Sequence, residues 1–327
     1  MKKKLSNIVL LLGVILVVIL VCEVFIRIFY SRISNYNTEM WRYAAEIKKP
    51  LRYENLPFHH FPYKEGNYYG VNIKTNSMGF RDYEYDIKKP LGKKRIVVLG
   101  DSFTLGWGVP FNDLFTKQLE RMINQYDDRV EVINLGTGNY NSIMEVELFK
   151  LKGLILNPDL VILMYFINDA EPIPRRMTAM EYFFKKHSFL FGFLFDRFIK
   201  LKIIFDRNFD WRQYYRQLYD RESDALRMNK KSLIELCKIC REQNIRLLIV
   251  NIPELHRLKE YPFAFVTNYI QTLADEEKVP FVDLLSAFAD CDPQSLWVSS
   301  EDPHANSKAN SIIATEIYKK IGQDMLF

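Results

Sequence analysis

The stretch Lys94-Arg95-Ile96-Val97-Val98-Leu99-Gly100-Asp101-Ser102-Phe103-Thr104-Leu105-Gly106 decides how the rest of the chain is read. Its apolar run, 96–99, shows no alternation, so the strand it forms is buried on both faces. The glycine that closes the run lets the backbone turn sharply into a helix, and a serine at such a turn presents its hydroxyl at the rim of a sheet. Comparable runs recur at 130–135, 160–167, 247–252 and 281–285. Helical periodicity fills the intervals near 112–125, 142–155, 224–243 and 261–277, and a last helix is expected near 307–323. Strands that are apolar on both faces and alternate with helices predict a parallel sheet covered on each side. Ligands of such sheets sit at the carboxyl ends of the strands, so the residues after each run are the ones to inspect.

After the second run stands Asn134-Leu135-Gly136-Thr137-Gly138-Asn139-Tyr140-Asn141. Small and left-handed-tolerant residues expose backbone N–H groups, as an oxyanion hole requires; a loop simply rich in turn formers has the same composition. The third run ends Tyr165-Phe166-Ile167-Asn168-Asp169, which offers the Asn168 amide as a further donor. Near the end of the chain, Ser300-Glu301-Asp302-Pro303-His304-Ala305-Asn306 opens the last helix. His304 is one of five histidines, and beside two carboxylates in a loop it fits a general base with its orienter. A serine is a poor nucleophile until a base takes its proton, and an acyl-transfer intermediate needs its negative charge stabilised. Ser102, His304 with Asp302, the N–H groups near Gly138 and Asn139, and Asn168 supply each part from one side of the sheet. His256 with Glu254, after the fourth run, is the alternative acid/base pair; the plainer reading makes it a solvated rim pair.

Over roughly residues 93–325 the sequence resembles the SGNH/GDSL hydrolase superfamily. Gly100-Asp101-Ser102-Phe103-Thr104 is similar to its first block, 134–141 to its second, Asn168-Asp169 to its third and Asp302-Pro303-His304 to its last. The lead-in Asn76-Ser77-Met78-Gly79-Phe80-Arg81-Asp82 is similar to segments that precede the catalytic domain in membrane-anchored members. The resemblance implies a three-layer α/β/α, flavodoxin-like domain with a five-stranded parallel sheet and Ser102 as nucleophile. It implies the activities of esterases, lipases, carbohydrate deacetylases and polysaccharide O-acetyltransferases. Three positions depart from the pattern. The oxyanion glycine is Gly138, or Asn139 takes its place; the acidic partner of His304 is Asp302 or, at the other family spacing, Glu301. Phe166 stands where the family often has glycine, which narrows the pocket.

The chain has 327 residues, 48% hydrophobic and 26% charged, which excludes a disordered tail or a disulfide miniprotein. Its net charge of +5 sits entirely at one end: residues 1–60 hold nine basic and four acidic side chains, and residues 61–327 hold 36 of each. The surplus therefore points to topology, and nucleic acid is set aside as a partner. Lys2, Lys3 and Lys4 precede the apolar run 5–22, whose eighteen residues give roughly 27 Å of helix, one hydrocarbon thickness. A cleaved signal peptide needs small residues before the cut, and Val21-Cys22-Glu23-Val24 has none. Cys22 follows Val21 where a lipoprotein cysteine would follow a small residue. The lysines favour an N-in orientation over the pull of Arg27 and Arg32. The expectation is a tail and transmembrane anchor over 1–30, a stalk and irregular cap over 31–92, and a catalytic domain over 93–327 outside a bacterial cytoplasmic membrane.

One stretch breaks the strand–helix rhythm. Residues 175–221 contain 14 Phe, Tyr or Trp, with eleven basic and five acidic side chains. This density marks an aromatic helical insertion, placed at 172–222, that either touches a membrane surface or packs as a lid. Cys237 and Cys240 have CxxC spacing but fall on the buried stripe of a helix, which makes them core thiols. No cluster has metal-ligand spacing, and neither a metal nor a cofactor is expected. The expected function is a serine-dependent ester hydrolase or acyl (acetyl) transferase for acylated glycans or lipids at the cell envelope. A non-catalytic envelope binding or assembly protein with the same fold is the competing class.

Overall fold

The computed structural model of the chain describes residues 2–33, 36–125, 129–176, 178–205, 210–220 and 223–324. Two helices open the chain, α1 (Lys2–Ile33) and α2 (Tyr36–Glu46), followed by two small antiparallel ribbons, β1 (Lys48–Pro50) with β2 (Phe58–His60) and β3 (Glu65–Tyr68) with β4 (Val71–Lys74). Then come β5 (Lys94–Leu99), α3 (Ser102–Leu105), α4 (Phe115–Ile123), β6 (Val130–Asn134), α5 (Ser142–Leu148) and β7 (Leu160–Tyr165). Three helices, α6 (Ala179–His187), α7 (Phe189–Phe205) and α8 (Trp211–Leu218), occupy the insertion. The chain finishes with α9 (Asp224–Glu242), β8 (Arg246–Asn251), α10 (Ala264–Glu276), β9 (Phe281–Asp283), α11 (Leu285–Phe288), β10 (Trp297–Ser299), β11 (Asp302–Ala305) and α12 (Ser307–Asp324).

Two units share these elements. The larger comprises residues 47–176 and 210–327 and is built on a five-stranded, wholly parallel sheet in the order β6-β5-β7-β8-β9. Period-2 geometry explains why apolar residues follow one another without alternation along the middle of β5, β7 and β8. Val97, Leu99, Ile133, Val161, Leu163, Leu247 and Ile249 point to one face, where α5, α9 and α10 cover them. Their neighbours Ile96, Val98, Val132, Ile162, Met164, Leu248 and Val250 point to the other, under α4, α11 and α12. The result is a three-layer α/β/α domain. Cutting a central residue such as Ile162 to alanine would cost about 2–5 kcal/mol, because both helical layers close on the strand and little can collapse into the gap. Cys237 and Cys240 lie buried on α9 as free thiols, and burial pushes them up to about 11 and about 12.

The smaller unit comprises residues 1–46 and 177–209. In α1 the 26-residue stretch Lys4–Phe29 is long and apolar enough to cross a membrane. The Glu23 carboxylate of α1 accepts the backbone N–H groups of Phe189 and Leu190, each at 2.9 Å, and the Ser188 hydroxyl at 2.9 Å, so α1 caps the N-terminus of α7. On α2, the Trp41 ring lies against Gly192, where a Cβ would come within 2.9 Å of it. The helix α2 is not expected from the sequence, whose stalk and irregular cap over 31–92 show no sustained helical period. Its buried residues include Thr38 and Glu39, and a stripe with polar members gives no clear apolar period.

Candidate active site

The order of the sheet reverses between β5 and β7, so the crevice at their carboxyl ends is the topological switch point where ligands of open α/β sheets bind. Ser102 follows β5 and Asn168 follows β7, which brings residues 66 positions apart to one rim. Ser102 is the first residue of α3; the Asp101 side chain caps that helix by accepting the Phe103 N–H at 2.9 Å. Gly106 ends it in the left-handed region, φ 76°, and a Cβ there would lie 1.9 Å from Leu114 Cδ2. Buried Arg81 holds the exit from the helix, donating to the carbonyls of Leu105 (3.0 Å), Gly106 (2.6 Å) and Val109 (2.8 Å). The short helix that carries Ser102 is thereby clamped at both ends.

Ser102 Oγ lies 2.9 Å from His304 Nε2, and His304 Nδ1 lies 2.6 Å from Asp302 Oδ1. The same carboxylate oxygen accepts the His304 backbone N–H at 3.1 Å, while Oδ2 accepts the Trp107 indole N–H at 3.0 Å. Antiparallel pairing of β11 with β10 turns Asp302 inward, fully buried, and leaves Glu301 exposed. It is therefore Asp302, and not Glu301, that meets the imidazole. The Phe103 ring stands 5.1 Å from His304 and 4.5 Å from Phe166, so one aromatic ring lies against the imidazole and a second backs it. Ser102 itself is 5% exposed.

The loop after β6 adjoins this chain of bonds. Thr137 N–H donates to the Gly100 carbonyl at 3.1 Å, and Gly136 presses so closely on α3 that a Cβ would lie 2.2 Å from Leu105 N. Gly138 is buried, and Asn139 is exposed in the left-handed region, φ 64°. Lys48, buried on β1, fixes both: its ammonium donates to the Gly138 carbonyl at 2.6 Å and to Asn139 Oδ1 at 2.8 Å. Asn168 Nδ2 donates to Asp101 Oδ2 at 2.9 Å, and that oxygen lies 3.5 Å from Ser102 Oγ. An amide nitrogen carries two hydrogens, so one remains beyond this bond. Ser102, His304, Asp302 and Asn168 are thus linked by one set of contacts, with Gly138 and Asn139 on the neighbouring strand's loop.

Beneath this rim lies a group of buried carboxyls. Burial pushes Asp101 up, pushes Asp169 well up with the charge of Asp101 adding to it, and pushes Glu145 well up beside Asp169 and Asp101. Both Glu145 oxygens lack a hydrogen-bond partner. Groups that keep their protons to higher pH carry less negative charge under the place where an oxyanion would form. His59 and His60 are held neutral by burial, the latter with its proton affinity lowered to about 3. His256 binds the Glu254 carboxylate through Nδ1, which raises its proton affinity, and its half-exposed ring lies near Trp211 and Trp297. Among the described residues no three His, Cys, Asp or Glu side chains gather as a metal site.

Residues 98–312 match the model of the GDSL-like Lipase/Acylhydrolase family. The chain belongs to this family. It is an acylhydrolase, an enzyme of ester bonds. Among solved structures it is similar to the acetylxylan esterase Axe2 from Geobacillus stearothermophilus, with a TM-score of 0.48 and 15% identity over 72% of this chain and 98% of that one. It is also similar to TesA (TM-score 0.48, 14% identity, 71% and 100% covered) and to LAE5 from the metagenome of Lake Arreo, Spain (0.46, 14%, 70% and 95%). No curated protein matches the chain. Three residues of the acylhydrolase's site escaped the sequence reading as site residues: Trp107, Lys48 and Arg81. Arg81 lies in the lead-in segment already singled out, whereas Trp107 and Lys48 reach their partners over 195 and 90 positions.

Proposed function

We propose that the acylhydrolase forms an acyl-enzyme on Ser102, with His304 as general base and Asp302 as its orienter. The observation that carries this is the unbroken line from Ser102 Oγ through the imidazole to Asp302, with contacts of 2.9 and 2.6 Å. His304 Nε2 takes the hydroxyl proton as Oγ bonds to the ester carbonyl carbon. The oxyanion is met by backbone N–H groups at Gly138 and Asn139 and by the second Asn168 amide hydrogen. The C–O bond to the alcohol then breaks, and the imidazolium returns its proton to the departing oxygen. A second hydroxyl, from water or a sugar, repeats these steps in reverse and frees Ser102. Losing one oxyanion donor in such a site costs about 100- to 1,000-fold in kcat.

The substrate reading is an acylated glycan or lipid at the outer face of a bacterial cytoplasmic membrane. Residues 1–30 form the cytoplasmic tail and anchor, residues 31–92 a stalk and cap, and residues 93–327 the catalytic domain. The apolar length of α1 behind Lys2, Lys3 and Lys4 supports this placement. The Phe103 ring beside His304, itself backed by Phe166, supports a short acyl group such as acetyl. Full-length protein in detergent, given an aryl acetate with and without an acetyl-free oligosaccharide, tests the reading. Acetate release lost in Ser102→Ala is the expected result, and undiminished release in that variant overturns it. Acetylated oligosaccharide identifies a transferase; free acetate alone identifies a hydrolase.

A further inference from the structure

α7 presents an apolar edge that nothing in the described structure covers. Leu194, Phe198 and Leu201 are 55%, 64% and 52% exposed, and at 100° per residue they fall within one narrow stripe of the helix. Asp196, which the same geometry places on the opposite side, is buried. A helix that turns its carboxylate inward and a Leu-Phe-Leu stripe outward is not arranged for water. Arg197 flanks the stripe with its guanidinium 4.8 Å over the Phe193 ring and 3.7 Å from the Asp196 carboxylate.

What covers the stripe follows from where α7 begins. Its first backbone N–H groups bond to Glu23, the residue that directly follows the apolar run 5–22 of α1. Arg27, one turn further along α1, bonds to Glu23 at 2.7 Å and to the His187 carbonyl at 2.9 Å, and stands 4.5 Å over the Phe189 ring. When the run 5–22 fills the hydrocarbon, Glu23 lies at its outer edge, and α7 starts at the same level.

We propose that α7 is a second membrane-contacting element, seated in the lipid surface by Leu194, Phe198 and Leu201. The proposal rests on α1 being a membrane anchor. Two contacts instead of one fix the rotation of the smaller unit about the anchor, which a single helix leaves free.

The test uses full-length protein in vesicles of phosphatidylethanolamine and phosphatidylglycerol, with photoreactive benzoylphenylalanine introduced at one position at a time. Phe198 probes the stripe, Leu16 the anchor, and Met228, exposed on α9, serves as the water-facing reference. Irradiation is expected to give lipid adducts at Phe198 and Leu16 several-fold above those at Met228. Adducts at Leu16 with Phe198 at the Met228 level would overturn the inference and leave the anchor standing. Absence at both Leu16 and Phe198 would overturn the anchor as well. Cross-linking of Phe198 to a second copy of the chain in place of lipid would show a self-association face and also overturn it.

Discussion

The Trp107 indole N–H donates to Asp302 Oδ2 at 3.0 Å, joining the turn after α3 to the carboxylate that holds the His304 imidazole. With Oδ2 occupied, Oδ1 is left to face both nitrogens of His304 that approach it, the ring Nδ1 and the backbone N–H. Trp107→Phe keeps most of the buried ring and removes the donor. A carboxylate released from one of its bonds lets the imidazole wander, and misplacements of this size cost on the order of 10- to 100-fold in kcat. Steady-state kinetics should show that fall with KM nearly unchanged. An unaltered kcat in folded Trp107→Phe would remove Trp107 from the positioning apparatus.

Lys48 does for the loop after β6 what Trp107 does for Asp302. Its ammonium pins the Gly138 carbonyl and the Asn139 side chain and lies 4.2 Å over the Phe58 ring. Lys48→Met preserves the stem volume and frees the loop. The expected outcome is a fall in kcat of roughly tenfold, less than for deletion of a donor, since the N–H groups themselves remain. Equal losses in binding of a ground-state analogue would contradict a role confined to the oxyanion.

His60 is neutral when folded, its Nδ1 hydrogen-bonded to the Gly79 carbonyl at 2.9 Å, and its proton affinity is lowered to about 3. The unfolded chain binds that proton near pH 6.5, so the histidine's contribution is present above 6.5 and is lost as pH falls towards 3, at about 1.4 kcal/mol per pH unit. Asp101, Asp169 and Glu145 act in the opposite sense, because a raised folded affinity loses stability as pH rises through the carboxylate range. Comparing His60→Gln with the parent isolates the first effect. The variant's stability deficit at pH 7 should shrink by about 2 kcal/mol at pH 5 in denaturant titrations. A deficit that does not change with pH would contradict the buried neutral histidine.

Phe166 packs on Phe103 beside His304, at a position where related sequences often carry glycine. Opening it with Phe166→Ala should favour longer acyl chains. The ratio of kcat/KM for propionate over acetate esters is expected to rise on the order of tenfold, since one accommodated methylene is worth about 1–3 kcal/mol. A ratio that stays constant would place the acyl group elsewhere.

The sheet was legible because its inner strands β5, β7 and β8 are buried on both faces and its edge strands keep apolar runs, so five such runs stand out against the helical period between them. The order β6-β5-β7-β8-β9 was not, because nothing local in β6 says that it pairs with β5 on the side away from β7. The run 160–167 overshot its strand: Ile167 belongs to the short helical turn Ile167–Ala170 and is apolar because that turn is buried. At the site, residues that sit at strand ends could be found by position alone. Whether Asp302 or Glu301 meets His304 could not, since both spacings reach an imidazole in sequence and the β10–β11 pairing decides which side chain turns inward. Lys48 and Trp107 gave no signal, being single residues whose partners are brought near by the fold.

The central claim, that Ser102 is the nucleophile activated by His304, is tested most directly by a fluorophosphonate probe and the mass of the labelled peptide. Full-length protein should take up one phosphonyl group on the peptide holding Ser102, with labelling abolished in Ser102→Ala and slowed by orders of magnitude in His304→Ala. Labelling at another residue, or none in folded protein, would contradict the account.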